Sequence, residues 1–393
     1  MIAYGSSSSA RQPDAMPGPF WAAFMSPGRY AVGLTVIAAR DSTRPDAHGR
    51  ARHVQIVIWY PAGETGRASL TYGEYFGFMA SDTGSTSDTL DIDRSNRTTY
   101  GDFLRARGVP DSIVAKWFAA RMAAHREALA IGGRFPALLI AQGNDQSAHD
   151  QAVLAEYLAS TGYVVATCPS PTRISGPLVD TASVGRSAEE QADDLAFILR
   201  SLHQRNDVDP RRVGVVAHSF GARGALLMAM RRPTTVTAIV SLDGGIGTAT
   251  GRQSMESSRS FDRRRAVAPI LHFDETLDSY MAPDDGLLSE LAAPVWLVHT
   301  VALHHHHFTT LAPSGALFPP LAVATGATSR TSIAYAAVAR LTRGFLDDYV
   351  RGETGAFASA CTNVAFTDRN SPRSFQCERL QRQSEHRPTT FRR

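Results

Sequence analysis

The residues best suited to chemistry lie in the run Ala217-His218-Ser219-Phe220-Gly221. A serine hydroxyl is a poor nucleophile at neutral pH. It becomes a good one beside a base, usually histidine, that a carboxylate orients. The run falls between Arg212-Val-Gly-Val-Val, which reads as a strand, and 221–231, which reads as a helix. A strand that turns sharply into a helix lifts the serine above the sheet and requires small residues two before and two after it. Ala217 stands where glycine is commoner, and alanine is still small. The same turn sets the N–H of Phe220 at the helix start, where free donors and the helix dipole favour an oxyanion. A bare match of this kind arises by chance in long chains, or as a helix-capping serine. The strand-to-helix context makes it specific.

A second oxyanion donor is expected from the loop after strand 137–141, which reads Gln142-Gly143-Asn144-Asp145. Gly143 permits a tight turn, and the N–H of Asn144 is the expected donor. The alternative is a simple strand-end turn. The acid should follow a later strand and the base a later one still. Asp243 ends strand 236–242 and precedes Gly244-Gly245, a flexible pair that suits a tight loop. Asp274 ends strand 269–273, and by position alone the two are comparable. The base is expected in His304-His305-His306-His307-Phe308, just after the last strand, with at least three of the four histidines bystanders. Such a run can also form a weak metal-binding tract, but no further ligands stand at the spacings a metal site needs.

Stepping outward from these residues, strands and helices alternate regularly from Pro136. Strands are expected at 137–141, 163–167, 213–217, 236–242, 269–273 and 294–300. Helices are expected at 149–160, 187–203, 221–231 and 332–350, with Ser187 and Glu190 spaced as a capping box. Short continuous apolar strands between helices mean a mostly parallel sheet buried on both faces. Before it, 30–38 and 54–61 read as an antiparallel hairpin at a sheet edge, the second strand stopped by Pro61. In 112–128 the residues Val114, Trp117, Phe118 and Met122 recur at helical spacing. That stripe fits a helix packed on the core, or a cap in which Trp117 and Phe118 wall a substrate pocket. The organisation expected is a flexible segment over 1–25, an α/β domain over 26–352 with a small helical cap-like insertion at 66–130, and a polar, Arg-rich tail over 353–393.

The bulk properties narrow the function classes. The chain has 393 residues, 43% of them hydrophobic, and a net charge of +3, as a soluble globular protein with a large core has. Its basic residues are scattered arginines, with Lys116 the one lysine, so no basic stripe for nucleic acid is formed. No apolar run is long enough to span a membrane. The first twenty residues lack the charged start and apolar stretch of an export signal, which by default implies the cytoplasm. Pairing of Cys361 with Cys377 would instead suggest an oxidising compartment, reached through an export signal missing from this chain.

Taken together, these residues resemble the α/β-hydrolase superfamily, and within it the platelet-activating-factor acetylhydrolase branch, close to the dienelactone-hydrolase-like esterases. The resemblance covers roughly residues 28–350. It rests on Tyr30-Ala-Val-Gly, Ile58-Trp59-Tyr60-Pro61, His218-Ser219-Phe220-Gly221, Leu242-Asp243-Gly244 and a His-x-x-Phe element. The resemblance implies Ser219 as nucleophile, Asp243 as acid and, because the branch's histidine precedes a phenylalanine by three, His305 as base. The branch's oxyanion loop usually reads His-Gly, where this chain has Gln142-Gly143. The branch hydrolyses short or oxidised acyl esters without metal or organic cofactor. The function expected is therefore a serine esterase acting on a small-molecule ester. The rivals are a hydrolase of another acyl bond, such as an amide or polyester, and a catalytically inactive domain used for binding.

Overall fold

Period-two alternation of apolar side chains builds a sheet buried on both faces. In β2 (Ala51–Ala62), Val57 and Trp59 enter one core while Ile56, Ile58 and Tyr60 enter the other. In β4 (Phe135–Ala141), Leu138 and Ile140 face the first core, and Ala137, Leu139 and Ala141 the second. Each fully buried side chain of this size contributes roughly 1.5–3 kcal/mol relative to exposure. The computed structural model describes residues 18–45, 49–79, 89–175, 178–365 and 375–381.

Among the described residues the sheet order is β10 (Cys377–Arg379), β9 (Val295–Thr300), β8 (Ile270–Glu275), β7 (Ala238–Leu242), β6 (Val208–His218), β4, β5 (Val164–Thr167), β2, β1 (Ala31–Pro45) and β3 (Ala124–Arg126). Neighbours from β5 through β9 run parallel. β2 is antiparallel to both β1 and β5. Helices Ala152–Ser160 and Ser329–Leu346 cover the first face. Helices Thr181–Leu202 and Gly221–Arg231 cover the second. The α/β architecture expected from the alternation is the one observed.

Four local expectations change. The helix expected over 112–128 spans Asp111–Phe118 and stops. The chain then runs extended, because Met122 N–H donates to Leu70 O and Leu70 N–H to Ala124 O, both at 2.8 Å, and β3 pairs with β1. Met122 is still buried, but from extended backbone. The helix expected to start at Ser187 starts at Thr181, where Asp180 accepts the Ser183 N–H at 2.7 Å and Ser183 returns a bond; Ser187 lies inside it.

Of the segment expected to be loose, 1–17 lie outside the described residues, while Phe20, Trp21 and Met25 are buried. Trp21 Nε1–H donates at 2.8 Å to the buried carboxylate of Glu156, which also accepts from Tyr75 and from the Ala123 and Ala124 amides. Of the expected tail, Ala356–Ala365 is a helix, and β10 pairs antiparallel with β9. A Cys361–Cys377 disulfide ties that helix to that strand.

Candidate active site

β6 ends at His218, and the chain reverses at Ser219, whose φ of 54° is left-handed. A non-glycine residue costs about 1–3 kcal/mol there, so its surroundings must enforce it. Ser219 N–H donates to Leu242 O at 3.1 Å, and Ser219 O accepts the Gly245 N–H at 2.9 Å. Helix Gly221–Arg231 begins so close to β4 that a Cβ at Gly221 would lie 2.1 Å from Ala141 O. Glycine is therefore required two residues after the serine.

Asp243 follows β7 directly, also with positive φ, 45°, and is almost fully buried. Its Oδ1 accepts the Glu275 N–H at 3.2 Å, and its Oδ2 is hydrogen-bonded to His305 Nδ1. His305 opens a 3-10 turn, His305–Phe308, and its Nε2 lies 2.8 Å from Ser219 Oγ. A hydroxyl bonded to an imidazole whose other nitrogen meets a carboxylate can lose its proton to that ring.

Asp274, the rival acid, is bonded to His299 Nδ1 at 2.6 Å, and His272 Nδ1 faces Ser241 Oγ at 2.9 Å. Neither Asp274, His299 nor His272 reaches the serine through these bonds. The other histidines of the run also have partners. His304 Nδ1 lies 2.9 Å from Asp278 Oδ1, and the Nε2 atoms of His306 and His307 lie 2.8 and 2.7 Å from Thr325 O. Burial pushes the His307 pKa down to about 4.

Two positioning groups went unnoticed in the sequence. Asp278 Oδ2 accepts the His305 N–H at 2.9 Å. Partial burial pushes the Asp278 carboxyl up, and the His305 N–H and His304 ring more than reverse this, leaving its pKa below the ordinary value. Tyr280 sets its ring edge-on to His305, with centroids 5.6 Å apart. Both lie on the segment after Asp274, with no motif to mark them.

The loop expected to supply the second oxyanion donor is held on both sides. Gly143 N–H donates to Gln146 Oε1 and Asp145 N–H to Thr172 Oγ1, each at 2.8 Å. Gln142 O accepts from Gln191 Nε2 at 2.8 Å. Among the described residues, the N–H groups of Asn144 and Phe220 donate to no protein acceptor.

Trp117 and Phe118, expected as pocket walls, sit in an aromatic cluster. Trp117 is fully buried, lies 4.9 Å from Tyr72 between ring centroids, and donates Nε1–H to Ser314 Oγ at 2.8 Å. Phe118 is half-buried against Phe76. Among the described residues, no group of three or more His, Cys, Asp or Glu side chains is disposed to hold a metal ion. No helix there is long and apolar enough to cross a membrane.

No family model matches the chain. Among solved structures, it is similar to a ferulic acid esterase from Streptomyces cinnamoneus, with a TM-score of 0.58 and 20% sequence identity over 84% of this chain and 93% of that one. At that identity the likeness speaks for the fold, and with the parallel sheet and strand-to-helix turn it identifies the architecture as the α/β-hydrolase fold.

Proposed function

We propose that the protein is a serine hydrolase of carboxylic esters. The observation that carries this reading is the single ring of His305, bonded on one side to Ser219 Oγ at 2.8 Å and on the other to Asp243. Ser219 Oγ attacks the ester carbonyl carbon as its proton passes to His305 Nε2. The resulting oxyanion is held by the Phe220 and Asn144 N–H groups, which have no protein acceptor among the described residues. A donor of this kind is worth about 10²–10³ in rate. The intermediate collapses, the ester C–O bond breaks, and the leaving alkoxide takes the proton from His305. Water then attacks the acyl-enzyme by the same route in reverse, releasing the acid and freeing Ser219. Asp243 fixes the tautomer of His305 and offsets its charge.

The sequence motifs resemble those of the platelet-activating-factor acetylhydrolase and dienelactone-hydrolase-like branch, which supports short or oxidised acyl esters as the substrates to try first. One structural neighbour is a ferulic acid esterase, so a hydroxycinnamoyl ester belongs in the same screen. The test is labelling by a fluorophosphonate probe together with turnover of p-nitrophenyl esters of rising chain length and of a feruloyl ester. Labelling and ester turnover that both vanish in Ser219→Ala support the reading. A wild-type protein that is folded yet neither labelled nor active overturns it.

A further inference from the structure

The nucleophile turn carries a second imidazole directly before the serine. His218 is 2% exposed, and its ring stacks on that of His305 with centroids 4.9 Å apart and planes 29° apart. Its two nitrogens reach two other loops of the site. Nε2 lies 3.2 Å from the backbone carbonyl of His305, and Nδ1 lies 2.9 Å from Gln146 Oε1. That same amide oxygen accepts the N–H of Gly143, the residue before Asn144. A Cβ at Gly143 would come within 3.0 Å of His218 Nδ1 and 2.6 Å of Gln146 Oε1. Glycine at 143 thus leaves room for the ring. One side chain touches the turn of the nucleophile, the loop of the oxyanion donor and the backbone of the base.

We infer that His218 is a positioning residue, a brace that keeps His305 and the Gly143–Asn144 loop in register with Ser219. The inference rests on the serine-hydrolase reading. The remaining anchors of His305 are Asp243 at its ring and Asp278 at its N–H. His218 adds a contact at the carbonyl and another across the ring face.

The brace must be uncharged to work, because the base becomes an imidazolium during each turnover, and a second cation stacked on it would oppose that charge. Burial first, and then the neighbouring His305, push the pKa of His218 well below the ordinary histidine value. The other groups facing the pair are Asp243 and Asp278, the ring of His306, and Tyr280; His304 stands behind Asp278. A neutral ring carries one N–H and donates to one of its two acceptors at a time.

The test is a double-variant cycle on His218→Phe, which keeps a ring and removes both nitrogens, and Gln146→Ala, at a half-buried position. Misplacing a reacting group by about 1 Å costs up to about 10²-fold. His218→Phe is therefore expected to lower kcat by about 10-fold to 100-fold with KM within about threefold, and to slow fluorophosphonate labelling in step. Gln146→Ala should lower kcat less, and the double variant should be no slower than His218→Phe alone, since both cut one brace. A folded His218→Phe with wild-type kcat overturns the inference, as do effects that multiply in the double variant. If His218→Phe does not fold, Gln146→Ala decides alone: lowered kcat at unchanged KM supports the brace, and wild-type kcat removes it. A wild-type protein that the probe does not label overturns the serine reading and the brace together. A labelled wild type with an indifferent His218→Phe overturns the brace alone.

Discussion

Ser219 Oγ and His305 Nε2 lie 2.8 Å apart although 86 residues separate them in the chain, and sheet register makes the meeting possible. His218 pairs with Leu242 across β6 and β7, and Leu242 pairs with Phe273 across β7 and β8. The residues next after these paired positions, Ser219, Asp243 and Asp274, therefore stand in a row along one sheet edge. Asp243 is the serine's neighbour in that row, locked by the Ser219-to-Leu242 and Gly245-to-Ser219 backbone bonds. Asp274 is one strand farther away and pairs with His299 in the next strand. The loop after β9 returns over this row, and Asp278 holds it there through the N–H of His305.

The proposal that Ser219 is the nucleophile is tested by two replacements that report different things. Ser219→Ala and Ser219→Gly should both lower esterase turnover by about 10⁴-fold or more, because the members of such a triad act as a unit. The left-handed φ of 54° separates them in stability. Glycine adopts that conformation without steric cost, so Ser219→Gly should be more stable than Ser219→Ala by about 1 kcal/mol in chemical denaturation. Equal stabilities would mean that the turn stores no strain at the serine.

Asp243→Asn should abolish turnover in a folded protein, whereas Asp274→Asn should leave kcat/KM close to wild type. Asp274 acts on stability instead. Its hydrogen bond raises the pKa of His299, so the folded state binds that proton more tightly than the unfolded chain does. The stability from this pair is complete below the ordinary histidine pKa of about 6.5 and is lost as pH rises through the raised value. The gap in Tm between wild type and Asp274→Asn should therefore shrink as pH rises from about 5 past the ordinary histidine value of about 6.5. A crippled Asp274→Asn beside an active Asp243→Asn would move the acid to the later strand.

Trp117 is a packing residue by its surroundings, with no exposed surface and an indole N–H bonded to Ser314. Trp117→Ala should cost about 3–5 kcal/mol of stability, as deleting a buried aromatic does. In the folded variant, preference across esters of rising chain length should change little. Unchanged denaturation with a shifted preference would return Trp117 to the wall of a substrate pocket.

The parts of this molecule that were legible in its sequence are those fixed by local pattern. The apolar runs at 137–141, 213–217 and 238–242 are strands because both of their faces are buried, and Ser219 is recognisable because its turn needs Gly221. Contacts made across the sheet were not legible in the same way. Nothing near Ser187 reveals that Asp180 caps the helix six residues earlier through Ser183. Trp21 lies in a Pro- and Gly-rich stretch that looks loose, and it is ordered by Glu156, 135 residues away. The helical stripe through Met122 was real as a burial pattern, but backbone pairing with Leu70 outweighed propensity there. Asp278 holds the His305 N–H through its carboxylate, a contact set by how one loop crosses another.

The histidine run offers the sharpest separation of roles, because His304 meets Asp278, His305 meets Ser219 and Asp243, and His306 and His307 share Thr325 O from exposed and buried positions. His305→Gln should remove turnover, since its Nε2 is the atom at Ser219 and its Nδ1 the atom at Asp243. His306 is exposed, and His306→Gln should stay within about threefold of wild type in kcat/KM, as surface changes do. His307 is fully buried against Thr325 O and should matter for stability rather than catalysis. Its pKa is lowered from 6.5 to about 4 by burial. As pH falls below the ordinary histidine value, the unfolded chain takes up the proton first and the folded state does not. Stability is therefore lost as pH drops from about 6.5 through about 4, by up to about 3 kcal/mol for this one group. His307→Gln should lower stability at neutral pH by about 1 kcal/mol through the weakened bond, and flatten the acid-side loss. The measurement is urea denaturation at several pH values for wild type and variant, beside kcat/KM for each single Gln variant. An acid slope unchanged in His307→Gln would show that another group carries it. Turnover lost in His306→Gln and kept in His305→Gln would move the base by one residue and dissolve the Ser219–His305–Asp243 arrangement as the source of activity.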